Sequence, residues 1–180
     1  MKLILLATLM LCVSGVVAAE EQLPISSDWI VFIKVKDPKN FSTIPAAMAG
    51  TKEKTVLPRF FRRASVQDSK GAYLWLNWFA DQDFKERDLA VIFNEFESGK
   101  DQKVNFGFSV SYPARLYLNG SLVADTMKLQ RNGTGNSPDT YQTQLQIKKG
   151  KNLLAVTVEA NKSNWFFNWG IPSKSKNKGK

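Results

Sequence analysis

From Lys103 onward, apolar and polar residues alternate with a period of two. Val104, Phe106, Phe108, Val110 and Tyr112 share one face, and Asn105, Gly107, Ser109 and Ser111 share the other. That pattern predicts an antiparallel strand with one side buried and one side wet. A second stretch repeats it: Tyr141, Thr143, Leu145 and Ile147 alternate with Gln142, Gln144 and Gln146. Further β-branched and aromatic runs read as strands at Trp29–Val35, Tyr73–Ala80, Asp88–Phe96, Leu153–Val158 and Trp165–Ile171. Arg115–Leu118 leads into Asn119-Gly120, a pair suited to a hairpin turn whose two central residues need positive φ, and Ser121–Ala124 returns. Lys149-Gly150-Lys151-Asn152 makes another turn. No window has a convincing helical period, although Ile44–Gly50 allows one short turn.

Many short strands punctuated by turns predict an all-β protein, an antiparallel β-sandwich. Two connections, Pro38–Gly71 and Asp125–Thr140, exceed the usual loop length, and long loops on a rigid scaffold are favoured places for function.

The first residues follow a different logic. Lys2 precedes an uncharged apolar run from Leu3 to Val17, and Val17-Ala18-Ala19 ends in small residues before Glu20 and Glu21. This is the three-part pattern of a secretory signal peptide, shorter than the roughly 20 residues that cross a bilayer. The expected organisation is a signal peptide over 1–19 cleaved near Ala19, a sandwich domain over 20–172, and a secreted or periplasmic mature protein.

Composition narrows the chemistry. The 180 residues include no His and one Cys, Cys12, which lies inside the expected leader. Serine–histidine and cysteine–histidine nucleophile pairs, histidine metal ligands and structural disulfides are therefore excluded from the mature chain. Carboxylates such as Asp81, Asp83 and Glu86, or Glu95 and Glu97, lie two or three apart and read as solvated turn or strand residues. We expect no catalytic residue, no cofactor and no metal site; no Asp-x-Asp-x-Asp spacing suggests calcium.

The charge is uneven. Formal net charge is +9. Without Lys2, the whole excess lies in two segments. One holds Lys52, Lys54, Arg59, Arg62 and Arg63 against Glu53. The other holds Lys174, Lys176, Lys178 and Lys180 with no acid. The tail from Ser173 has nothing apolar to bury and is expected to be disordered. Both segments are candidate contacts for an anionic surface. Nucleic acid is not expected as a partner of an exported protein.

Arg115-Leu-Tyr-Leu-Asn-Gly-Ser-Leu-Val-Ala-Asp-Thr126, Gly135-Asn136, Leu145-Gln-Ile-Lys-Lys-Gly-Lys-Asn-Leu-Leu-Ala-Val156 and Trp165-Phe166 together resemble the galactose-binding-like jelly-roll superfamily. Asp28-Trp29 and Ile44-Pro45 are similar to the opening of modules of that type found beside polysaccharide-processing proteins. The resemblance spans about Ser27 to Ile171 and implies a jelly-roll sandwich that binds carbohydrate, or serves as an adaptor, without catalysis. Asn119, Gly120, Gly150 and Asn152 are explained by turn formation and are expected to be structural.

Sugar binding needs an aromatic face and polar groups beside it, and the chain has five Trp and four Tyr. Trp165, Phe167 and Trp169 share one face of the last strand, opposite Phe166, Asn168 and Gly170; Tyr73 and Trp75 oppose Leu74, Leu76 and Trp78. Aromatic side chains on both faces mean a strand buried on both sides or an exposed aromatic surface. Trp165 and Trp169, with Asp125, Thr126 and Asn136 of the long loop, are the candidate ligand-binding residues. Two functions fit: a carbohydrate-binding module, or an envelope protein-interaction domain tethered to an anionic surface by its basic segments. The oligomeric state is left open.

Overall fold

The computed structural model describes residues 23–25, 28–33, 35, 59–62, 72–78, 80, 84–132, 136–161 and 164–173. The expected leader over 1–19, the short turn allowed at Ile44–Gly50, Lys52, Lys54, Arg63 and Lys174, Lys176, Lys178 and Lys180 lie outside these residues. The described strands are β1 (Asp28–Phe32), β2 (Arg59–Arg62), β3 (Ala72–Trp75), β4 (Leu89–Ser98), β5 (Gln102–Val110), β6 (Ala114–Leu118), β7 (Ser121–Asp125), β8 (Tyr141–Ile147), β9 (Gly150–Glu159) and β10 (Phe166–Gly170). They form two antiparallel sheets, β2-β1-β4-β9-β6-β7 and β3-β10-β5-β8. The protein is an all-β antiparallel sandwich, as its patterning predicts.

The middle of the larger sheet is the β4–β9 ladder, paired from Leu89↔Glu159 to Ser98↔Gly150. Ala90, Ile92, Leu154, Val156 and Val158 point between the sheets and are fully buried. Across the gap they meet Val104, Phe106 and Phe108 of β5, Leu145 and Ile147 of β8, and Phe167 of β10. The period of two thus becomes an inner face, and burial of these side chains contributes about 1.5–3 kcal/mol each. Trp29 packs on Trp169 at 4.6 Å between ring centroids and on Phe167 at 5.6 Å, joining the sheets near one edge.

The turns obey backbone geometry. Asn119 and Gly120 have φ of 51° and 83°, and Gly150 has φ of 90°. Asn152 folds its amide back on its own turn, donating to the carbonyls of Lys148 at 2.7 Å and Gly150 at 2.9 Å and accepting from Lys148 N–H at 3.1 Å. Its Oδ1 also accepts from Asn119 Nδ2 at 3.0 Å, and Asn119 Oδ1 accepts from Leu153 N–H at 2.8 Å. Two distant turns are therefore locked together by a pair of asparagines.

Two expectations need correction. The run from Tyr73 does not stay extended to Ala80: β3 ends at Trp75 and Leu76–Trp78 form a 3-10 turn. The N–H groups of Leu76 and Asn77 both donate to the Trp165 carbonyl, and Asn77 Oδ1 accepts Trp165 N–H at 2.7 Å, which bends the chain around the start of β10. The long connection Pro38–Gly71 also contains a strand. Arg59-Phe-Phe-Arg62 pairs with β1 and forms an edge of the larger sheet. Of the basic positions, Arg59 and Arg62 therefore lie on the strand that ends the larger sheet among the described residues.

Candidate functional site

The outer face of the smaller sheet carries the polar half of the alternating pattern and a group of aromatic rings. Register places Tyr73 beside Asn168, Asn168 beside Ser109, and Gly170 beside Gly107. Tyr73 and Trp75 stack nearly parallel, with 5.6 Å between centroids and 18° between planes; Phe166 lies 5.8 Å from Tyr73 and 5.7 Å from Trp75. Tyr73 and Phe166 are buried and Trp75 is half-buried. Further along the same face, Asn105, Gln142, Gln144 and Gln146 are exposed, and Gln146 donates to Gln144 at 3.1 Å.

The long connection after β7 crosses this face. A Cβ on Gly107 would meet the Pro138 carbonyl oxygen at 2.2 Å and Pro172 Cβ at 3.2 Å, so both segments rest directly on β5. Only glycine permits that approach. The cover also explains why Gly107 and Ser109, on the face expected to be wet, are buried. Its turn is closed locally. Thr140 N–H donates to Ser137 O, Asn132 N–H donates to Thr140 O, and Asp139 Oδ1 accepts Ser173 N–H at 2.6 Å.

Where this strap meets the aromatic rings, two donors converge on one carbonyl. The Tyr73 hydroxyl donates to Asn136 O at 2.8 Å, and Asn168 Nδ2 donates to the same oxygen. Burial raises the Tyr73 phenol pKa above its ordinary value, and a hydrogen bond from Asn168 partly offsets that. Among the described residues, the cluster consists of rings, amides and hydroxyls.

Of the five candidate ligand-binding residues, Asn136 alone lies in this cluster. Trp165 and Trp169 belong to the core: Trp165 is 0% exposed and donates Nε1–H to Val158 O at 3.0 Å, and Trp169 is 7% exposed. Neither ring presents a face to a ligand in this structure. Asp125 and Thr126 fix the base of the strap. Asp125 pairs with Arg115 at 3.2 Å and accepts Met127 N–H at 3.0 Å. Thr126 Oγ1 accepts Ala114 N–H at 2.9 Å and donates to Ala114 O at 3.3 Å. Tyr73, Trp75, Phe166 and Asn168, and not the two tryptophans, are the residues grouped with Asn136 on the outer face. The alternation of β3 and β10 sorts these four residues onto faces away from Leu74 and Phe167, and the burial of Leu74 and Phe167 between the sheets shows which face is outer. Among the described residues no three His, Cys, Asp or Glu side chains are grouped to hold a metal.

No protein-family model matches the chain, and no curated protein matches it. Among solved structures it is similar to part of a selenomethionine-labelled β-glucosidase from Kluyveromyces marxianus, with 16% identity and a TM-score of 0.49 over 81% of this chain and 16% of that one. It is likewise similar to that β-glucosidase in complex with glucose, with 16% identity and a TM-score of 0.48 over the same shares. A GH31 α-xylosidase from Xanthomonas citri matches at 15% identity and a TM-score of 0.40, over 82% of this chain and 14% of that one. The chain spans about a sixth of the length of the solved chains it matches.

Proposed function

We propose that this protein is a non-catalytic carbohydrate-binding sandwich of the galactose-binding-like type, and that its ligand meets the outer face of the smaller sheet. The observation that carries the reading is the half-buried Trp75 ring, backed by Tyr73 and Phe166 and flanked by the amides of Asn136 and Asn168. A ring face accepts the C–H face of a sugar, and neighbouring amides and hydroxyls orient its hydroxyl groups. The rings, amides and hydroxyls that make up the cluster among the described residues match the chemistry of a neutral glycan. The exposed amides of Asn105, Gln142, Gln144 and Gln146 supply donors and acceptors for a longer chain along the same face.

In this reading the protein is exported, loses residues 1–19, and contacts anionic envelope surfaces through Lys52–Arg63 and Lys174–Lys180. Affinity electrophoresis through gels containing neutral polysaccharides tests the binding. Retardation by at least one polysaccharide, abolished by Trp75→Ala with folding intact, is expected. Unretarded migration through every neutral polysaccharide contradicts the proposal.

A further inference from the structure

Asn168 is 3% exposed, and among the described residues its Oδ1 has no hydrogen-bond partner. A buried acceptor without a donor is rare and costs free energy. Reversing the amide does not cure it, because Oδ1 would then face the Asn136 carbonyl and Nδ2 would lose its acceptor. The orientation is fixed by the strap, and one half of the amide is left unused.

The used half is equally specific. Tyr73 hydroxyl and Asn168 Nδ2 both point at a single carbonyl oxygen, and a carbonyl has two lone pairs to receive two donors. A sugar hydroxyl that took both would still need an acceptor for its own proton. The group now held there is a backbone amide carbonyl. Among common sugar substituents, the acetamido group has the same chemistry.

Resting on the carbohydrate reading above, we infer that this site selects N-acetylated sugars: the acetamido carbonyl replaces Asn136 O between Tyr73 and Asn168, and a hydroxyl of the same sugar donates to Asn168 Oδ1. The exchange keeps both existing donors satisfied and adds a partner for the orphaned acceptor. It displaces one exposed residue, since among the described residues the bonds that close the strap's turn involve Asn132, Ser137, Asp139, Thr140 and Ser173 and not Asn136. Trp75, on the neighbouring strand position, supplies the ring face.

Calorimetric titration of the full chain with chitopentaose and with cellopentaose, which carries a hydroxyl where the former carries acetamido, tests the inference. A site built around a hydrogen-bonded group discriminates against an analogue lacking it, so chitopentaose should bind at least ~10-fold more tightly. Tyr73→Phe keeps the ring, removes one converging donor and should shrink that preference several-fold. Equal affinity for the two oligosaccharides overturns acetamido selection and leaves the carbohydrate reading standing. Failure of both to bind, together with unretarded migration in every polysaccharide gel, overturns the carbohydrate reading itself.

Discussion

Replacing Asn152 by alanine should destabilise the protein sharply without touching the outer face. The side chain is buried and takes part in four hydrogen bonds: it donates to Lys148 O and Gly150 O and accepts from Lys148 N–H and Asn119 Nδ2. At about 0.5–1.5 kcal/mol net per bond the four sum to roughly 2–6 kcal/mol. Solvent can reach the carbonyls of the exposed Lys148 turn, so the lower part of that range, about 2–3 kcal/mol, is the expected loss. For a domain of this size that is a fall in melting temperature of about 5–10 °C. Urea unfolding followed by tryptophan fluorescence measures it. Because Asn119 shares a bond with Asn152, the pair should also couple in a double-mutant cycle, using Asn119→Gly to spare the positive φ. A loss below ~0.5 kcal/mol, the range of ordinary surface substitutions, would refute the claim that the two asparagines lock the turns.

Gly107→Ala should push the strap off β5, because the new Cβ would lie within the Pro138 carbonyl; we expect a loss of ~1–3 kcal/mol and faster proteolysis after Thr126, both read by limited digestion and denaturation. Thr126→Val removes the acceptor of the buried Ala114 N–H and should cost about 1–3 kcal/mol, measured by urea unfolding. Tyr73, with its pKa raised in the folded state, should titrate above ordinary tyrosines in the ultraviolet. Its stabilising contribution is complete below the unfolded tyrosine pKa and is lost as pH rises through the folded value, so stability should decline on the alkaline side. Tyr73→Phe should remove that part of the decline.

The sandwich was legible because its centre follows simple rules. β5 and β8 alternate cleanly, β4 and β9 contain continuous apolar stretches, and the turns at Asn119-Gly120 and Gly150 demand positive φ. β2 was not legible, since four residues with arginine at each end carry no period and owe their extension to pairing with β1. The end of β3 was hidden because Leu-Asn-Trp reads as strand, while Asn77 and the Trp165 carbonyl decide otherwise. Alternation sorted Trp165 and Trp169 onto one face and Tyr73 and Trp75 onto another face of a neighbouring strand. It could not say which of these faces turns inward. That depends on the pairing of β10 with β3, which sets Phe167 against Leu74 and Asn168 against Tyr73. Asn136 was found from loop chemistry alone, whereas its partners Asn168 and Tyr73 lie 32 and 63 residues away.

The central claim is that a glycan meets the outer face and not the core, and the five tryptophans provide direct reporters. Their indole N–H resonances, assigned by single Trp→Phe replacements, can be followed while a neutral oligosaccharide is added. The Trp75 resonance should shift in a saturable manner, while those of Trp165 and Trp169 stay in place. Movement of Trp165 or Trp169 with Trp75 unchanged, or no movement with any oligosaccharide, would contradict the assignment of this face as the binding surface.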